Sequence, residues 1–379
     1  MRILHYSRYY PFPVSYELAR RQRSAGHDVS IACWSGMSKV AKGLWYHDSL
    51  KVYCYGTDVH TNPTRFKLVP FKLLREFNDL TYLMRLFHHH DVVHVHAPTF
   101  YSYPQLYKTV GTCGWGLAVK MTDIASVWTY HIHPHSIPKY RNAIINEMKY
   151  AKVRTAVNQD VARILKVLFI PNGVSTDLFR PLTNEAKTEA RSKYGVPEDK
   201  IVVLTVGRWI PIKGHDILAE VIGHLDERTR RRIHLMLVGP VDHGYLEYYK
   251  GVIEKLRALG VSYTRTSAPF HEMPAFYGMS DIFITCTRDD AGPLVLLEAM
   301  SSGLPSISSR AGPFSLEHGS EGFIPSEPSE YAKYLELLIS DEGLRAEMGK
   351  RGREKALTFD WSIITERYME AYRQAIDAT

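Results

Sequence analysis

A chain of 379 residues is longer than one hydrophobic core usually supports, which predicts two domains. With 45% hydrophobic and 23% charged residues it falls among ordinary globular proteins and outside the disordered, collagen-like and disulfide-scaffold classes. A formal charge of +7 favours anionic partners, whether a phosphorylated ligand, an anionic lipid or nucleic acid, without choosing among them.

Short β-branched runs alternate with longer helical stretches along nearly the whole chain, the rhythm of parallel sheets covered by helices. In the first half the strands are predicted near Ile3–Tyr6, Val29–Cys33, Val52–Tyr55, Val92–Val95, Val127–Tyr130, Thr155–Val157 and Leu168–Ile170. The opening run MRILHYSRYY lacks the pattern of a signal peptide, and no stretch approaches the roughly 18 apolar residues of a membrane span. Cys33, Cys54, Cys113 and Cys286 show no paired spacing, so neither a zinc site nor a disulfide framework is expected. A cytoplasmic chain with at most peripheral membrane contact is the expectation.

Residues 65–91 carry Arg65, Lys67, Lys72, Arg75 and Arg85 beside Leu73, Phe77, Leu80, Met84 and Phe87 at helical spacing. Such a helix buries its stripe against the first sheet or lies on the inner face of an anionic membrane, the second case implying a lipid-linked acceptor. Histidines are frequent from His88 to His135. His94 and His96 alternate on a strand and point to one face, but no cysteine or carboxylate at ligand spacing joins them; they read as core or cleft histidines, and no metal is expected.

The segment PNGVSTDLFRPLTN (171–184), rich in turn residues, reads as an interdomain linker. It sets domains at 1–172 and 173–359, with a final helix in 360–379 that packs back on the first domain. Second-half strands are predicted near Val202–Val206, His234–Val238, Val261–Thr264, Ile282–Ile284, Ser306–Ser308 and Gly322–Ile324. In the last helix Ile364, Tyr368, Ala371 and Ala375 form a stripe, with Asp360 or Ser362 as its cap.

Open parallel sheets bind ligands beyond the carboxyl ends of their strands. Two segments stand there. In TVGRWIPIKG (205–214) a strand ends at Gly207-Arg208 and a helix starts after Lys213-Gly214; Arg208 and Lys213 either neutralise a diphosphate or are two solvated loop cations. In DDAGPLVLLEAMSSGLP (289–305) a polar loop enters a helix whose N-terminus suits phosphate or sugar oxygens. Of Asp290 and Glu298 there, one holds sugar hydroxyls and the other ribose hydroxyls, or else Asp290 is a helix cap and Glu298 a solvated helical residue.

These segments, together with MRILHYS, AGHDVSI (25–31), DVVHVHAP (91–98), IPNGVSTDLFRP (170–181), LMLVGP (235–240) and FDWSIITERYMEAY (359–372), resemble the retaining glycosyltransferases of the GT-B fold, in particular family 4. The resemblance runs nearly end to end and implies an α/β chain of two Rossmann-like domains facing each other across a cleft. It implies transfer of a sugar from a nucleotide-diphosphate sugar to an acceptor hydroxyl on a glycan, a lipid-linked precursor or a small molecule, with no cofactor besides that co-substrate. Position by position, it gives Arg208 and Lys213 the diphosphate, Glu298 the ribose and Asp290 the transferred sugar. His131, in SVWTYHIHP (126–134), matches the family histidine that faces the donor sugar. Gly207, Gly292, Pro293, Leu294, Val295 and Asn172 complete the implied donor-binding set.

Three departures stand out: Asp290 replaces the usual Glu, one methylene shorter; the loop after the first strand lacks the family's glycine pair; and the segment from Asp160 to Phe169 is shorter than the family's. A catalytically weak nucleotide-sugar-binding protein and a GT-B phosphorylase or epimerase are the alternatives. Nucleic acid is not an expected partner, because the basic residues are dispersed.

Overall fold

The computed structural model describes residues 1–7, 13–34, 43–55, 80–97, 114–132, 137, 142, 144–146, 148–290, 292–309 and 316–379. The chain divides into two compact units, Met1–Asn172 together with Trp361–Thr379, and Gly173–Asp360.

In the first unit eight strands form one sheet: β1 Arg2–Ser7, β2 Asp28–Trp34, β3 Gly43–His47, β4 Leu50–Tyr55, β5 Val92–Ala97, β6 Ala125–Tyr130, β7 Val153–Ala156 and β8 Leu168–Phe169. Their order is β3-β4-β2-β1-β5-β6-β7-β8, parallel apart from the β3–β4 hairpin. The order reverses between β1 and β5, which makes that junction the topological switch point. Strand alternation sends Leu4, Tyr6, Val93, Val95, Trp128 and Tyr130 into one apolar cluster. Residues of the other parity, His5, His94, His96 and Thr129, are buried too, on the side taken by helices Pro13–Ser24 and Trp361–Asp377.

β3 has no counterpart among the predicted strands. All five of its residues are exposed, so no burial alternation marks it, and its two-residue turn is Asp48-Ser49 rather than a glycine pair. Both turn residues take positive φ (47° and 64°), as a tight hairpin requires. Of residues 65–91, those from 80 to 87 are helical, and Leu80, Leu83, Leu86 and Phe87 are buried in the sheet's apolar cluster with Met84 against it. This part of the stripe is core. Arg65, Lys67, Lys72, Leu73, Arg75 and Phe77 lie outside the described residues, as do His133, His135 and most of the loop after β1.

The second unit contains β9 Ile201–Val206, β10 Ile233–Val238, β11 Ser262–Thr266, β12 Ile282–Thr285, β13 Ser306–Ser308 and β14 Gly322–Phe323, all parallel, in the order β11-β10-β9-β12-β13-β14. Helices cover both faces, so IVVLTV, IHLMLV and IFIT are continuous apolar runs rather than alternating ones. Val203, Leu235, Leu237, Ile282 and Ile284 pack on helices His215–His224, Leu246–Ala258 and Pro328–Ser340, while Val202, Leu204, Met236 and Phe283 pack on helices Met273–Gly278 and Leu294–Ser301. This sheet switches between β9 and β12.

The C-terminal helix Trp361–Asp377 buries Ile364, Tyr368, Ala371 and Ala375, and it belongs to the first unit. Asp360 stays with the second unit, where its carboxylate accepts hydrogen bonds from Thr176 N (3.2 Å) and Thr176 Oγ1 (2.6 Å).

Candidate active site

The loops leaving β9 and β12 meet at the switch point of the second unit. Lys213 Nζ lies 2.7 Å from Asp290 Oδ2, with both side chains mostly enclosed. Arg208 is exposed beside them and, among the described residues, has no ion pair. The two loops are sewn together: Arg288 N donates to Ile212 O (2.8 Å), Thr287 Oγ1 donates to the same carbonyl (3.1 Å), and Arg288 makes a bidentate pair with Asp216 at 2.9 and 2.6 Å. Those bonds pull the Asp216 carboxyl down to about 2.

Backbone packing fixes the first loop as closely as hydrogen bonding does. Gly214 has φ of +69°, and a Cβ there would sit 1.9 Å from Cys286 O. Trp209 is buried and stacks on His215 at 4.3 Å, while His215 Nε2 donates to Arg208 O (3.1 Å). Burial lowers His215 to about 4, so the ring is neutral.

On the second loop, Asp290 Oδ1 accepts from Gly292 N (3.1 Å), a turn within the loop. Asp290 is therefore not the cap of helix Leu294–Ser301. Its N-cap is Pro293, which supplies no side-chain bond, and the first turn holds no acidic residue. Among the described residues, no side chain caps the opening N–H groups of Leu294 and Val295. Glu298, one turn further, is not a solvated residue either: its Oε2 accepts from the buried Tyr277 hydroxyl at 2.6 Å, and burial pushes the carboxyl up to about 7. Lys213, Asp290, Gly292, Pro293, Leu294, Val295 and Glu298 thus share one sheet edge with Gly207 and Arg208.

Asn172 is buried and is the last residue of the first unit's N-terminal segment. His131 follows β6 in the same unit. Its Nε2 lies 3.1 Å from His96 Nδ1, and burial lowers it to about 3. His96 Nε2 lies 3.2 Å from His5 Nδ1, and His5 Nε2 lies 2.7 Å from Gln22 Oε1. His94 bonds Tyr372 through Nδ1 and Thr129 through Nε2, each at 2.7 Å. His5, His94 and His96 place ligand atoms within 4.8 Å of one another, a grouping that could hold a metal ion; β1 adds the third ring that the strand spacing of His94 and His96 did not show.

Residues 14–207, more than half of the chain, match the family described as Glycosyltransferase Family 4, and residues 186–355 match Glycosyl transferases group 1. The chain belongs to glycosyltransferase family 4. A relative of this family 4 chain, the D-inositol 3-phosphate glycosyltransferase of Streptomyces bingchenggensis, is 30% identical over 55% of this chain and 48% of its own length. The enzyme of the same name from Kineococcus radiotolerans is 27% identical over 76% of this chain and 72% of its own. The chain spans about half the length of the Streptomyces and Corynebacterium relatives it matches. Among solved structures, Anabaena HepE in complex with UDP and glucose superposes with a TM-score of 0.77 at 19% identity over 98% of both chains. A glycosyltransferase from Rickettsia africae gives 0.76 at 20% identity, over 100% of this chain and 99% of its own. The family 4 chain therefore has the GT-B fold, with two Rossmann-like units.

Sequence spacing did not point to Tyr277, Arg288, His5, Gln22 or Tyr372. Each acts through a partner distant in sequence, 21 residues away for Tyr277 and Glu298 and 350 for Gln22 and Tyr372, so no local pattern announces it.

Proposed function

We propose that the chain is a glycosyltransferase that moves a sugar, with retention of anomeric configuration, from a nucleotide-diphosphate sugar to an acceptor hydroxyl. The observation that carries this reading is the Lys213–Asp290 pair at the β9/β12 switch point, beside the exposed Arg208 and the uncapped start of helix Leu294–Ser301. Departure of a nucleoside diphosphate builds negative charge on the β-phosphate. Arg208 takes that charge by bidentate hydrogen bonds and Lys213 as a point charge, in the role a divalent ion has in other transferases. Lys213 exchanges Asp290 for phosphate as the donor enters, which frees the carboxylate to accept from a sugar hydroxyl. Glu298 accepts from the ribose hydroxyls, Gly207 lets the diphosphate approach the backbone, and Gly292 and Pro293 shape the turn that presents Leu294 N and Val295 N. Asn172 and His131, both in the first unit, are the residues that the family resemblance adds to this reading.

The donor class to test first is a UDP-sugar, because the HepE complexes contain UDP, glucose and UDP-glucose. The relatives' name makes a phosphorylated polyol the first acceptor to try, ahead of lipid-linked hydroxyls at the inner face of a membrane. No helix among the described residues is long and apolar enough to cross a membrane.

Thermal unfolding with UDP-, GDP- and ADP-sugars, each with EDTA, tests the reading. A ligand at a hundredfold over its dissociation constant adds about 2.7 kcal/mol of stability. The expected result is a raised midpoint with one nucleotide class that survives EDTA and is lost in Arg208→Ala. No shift with any of them overturns the donor site, and binding without transfer or donor hydrolysis leaves a sugar-nucleotide-binding protein.

A further inference from the structure

Helix His215–His224 begins two residues after Lys213, and its N-cap, Gly214, has no side chain to offer the helix start. The positive end of the helix dipole therefore lies beside Lys213, where it favours an anion. The second residue of the same helix is Asp216, the one acidic residue of its first turn. A carboxylate there competes with an entering anion for the same positive end. The segment RWIPIKGHD (208–216) thus carries two phosphate-seeking cations and, next to them, a group that opposes phosphate.

A residue 72 positions along the chain meets that conflict. Arg288, just past β12, forks over Asp216, Nη1 to Oδ1 at 2.9 Å and Nη2 to Oδ2 at 2.6 Å. Its Nη1 also donates to Pro211 O, and its backbone N–H donates to Ile212 O at 2.8 Å. Tyr248, on helix Leu246–Ala258, donates to Asp216 Oδ1 at 2.7 Å and accepts from Asp216 N at 3.2 Å. The bond from Arg288 is the main cause that takes the Asp216 carboxyl down to about 2, so at pH 7 the carboxylate is ionised and matched by one guanidinium. The two side chains are 44% and 33% exposed, and ion pairs so placed add little to stability. What the pair changes most is the field at the helix start.

We propose that Arg288 is a positioning residue that acts through Asp216: it cancels the carboxylate charge at the start of helix His215–His224, so that a nucleoside diphosphate entering beside Lys213 meets the helix end unopposed. The diphosphate in this statement rests on the donor site proposed above; the charge pairing at Asp216 does not. The proposal fixes the sign of each change. Arg288→Ala leaves Asp216 ionised and unmatched, and diphosphate binding weakens by about tenfold. Asp216→Asn removes the competitor and frees a cation, so binding tightens although the pair is broken and the chain unfolds more easily. The double variant Asp216→Asn with Arg288→Ala returns close to wild-type affinity. A mere tether between the loops gives weaker binding in all three, and direct contact of Arg288 with phosphate leaves the double variant as weak as Arg288→Ala.

Titration calorimetry of the full chain with UDP, GDP, ADP and inorganic pyrophosphate separates these cases, with thermal midpoints measured alongside. Tyr248→Phe, which loosens Asp216 without changing any charge at pH 7, is expected to lower the midpoint and leave affinity within about twofold of wild type. Asp216→Asn that binds more weakly than wild type, a double variant as weak as Arg288→Ala, or an equal loss in Tyr248→Phe overturns the proposal and leaves the donor site standing. Wild type that binds none of the four probes sinks the donor site and this proposal together. Carbon-13 titration of the Asp216 carboxyl, the signal lost in Asp216→Asn, needs no ligand: it is expected at about 2 in wild type and higher in Arg288→Ala, and equal values in the two also overturn the proposal.

Discussion

The two switch points of this molecule solve the same topological problem with opposite chemistry. Between β1 and β5 the polar groups are neutral, buried and linked ring to ring; between β9 and β12 they are charged, and they sit in loops past the strand ends. Neutral rings tolerate burial because each gives and accepts one hydrogen bond, whereas a buried charge needs a partner or a shifted pKa. Lys213 has such a partner in Asp290, and Glu298 has the shifted pKa. The comparison teaches that the first unit gathers neutral hydrogen-bonding rings and the second presents charge.

Acid should separate the two units most strongly. The folded pKa values of His5 and His131, about 4 and about 3, lie below the unfolded value near 6.5, so the unfolded chain binds more protons in that window and stability falls as pH drops from 7 to 5. The expected loss is on the order of 2 kcal/mol per buried ring at pH 5. Glu298 has the opposite sign: its folded pKa of about 7 lies above the unfolded value, so its contribution grows as pH falls through the same range. His215 and His234, each lowered to about 4 mainly by burial, give the second unit a loss of the same sign as the first unit's, so hydrogen exchange resolved by peptide should show both units less protected at pH 5 and the first, with His5, His94, His96 and His131 all lowered, the more so. Equal loss in both would break the contrast.

Gly214→Ala is expected to destabilise the second unit by about 3 kcal/mol or more, because the added Cβ meets Cys286 O at 1.9 Å on top of the positive φ. Gly26→Ala in the first unit, also at positive φ but with nothing within 4 Å, should cost only about 1 kcal/mol. Urea unfolding of each variant sharpens the comparison. Arg208→Ala should weaken nucleotide-diphosphate binding by about 2 kcal/mol, with reduced salt dependence in titration calorimetry. The smallest effect is expected for Tyr277→Phe. Loss of its hydrogen bond to Glu298 should cost about 1 kcal/mol of donor affinity and move upward the pH at which binding rises, since that bond favours the ionised carboxyl.

Strand positions were largely open to sequence reading, since short, β-branched, continuous apolar runs such as IVVLTV and IFIT, set between longer helical stretches, read as strands with both faces covered. β3 was not, because every one of its residues faces out and its turn has no glycine. At the site, spacing placed Asp290 before a helix and Glu298 within it but left cap and solvated readings open. Those readings fall to partners far along the chain: Lys213 for Asp290, 77 residues away, and Tyr277 for Glu298.

By itself, then, the sequence determined the alternation of strands and helices, the family, and which residue types end each strand, because periodicity and turn chemistry are local. Only the tertiary structure decided which cation pairs with Asp290, which hydroxyl holds Glu298, and that His5 on β1 joins His96 on β5, 91 residues later, in one hydrogen-bonded path. Those pairings depend on strand order, and parallel strands become neighbours only through crossovers whose length carries no local signal.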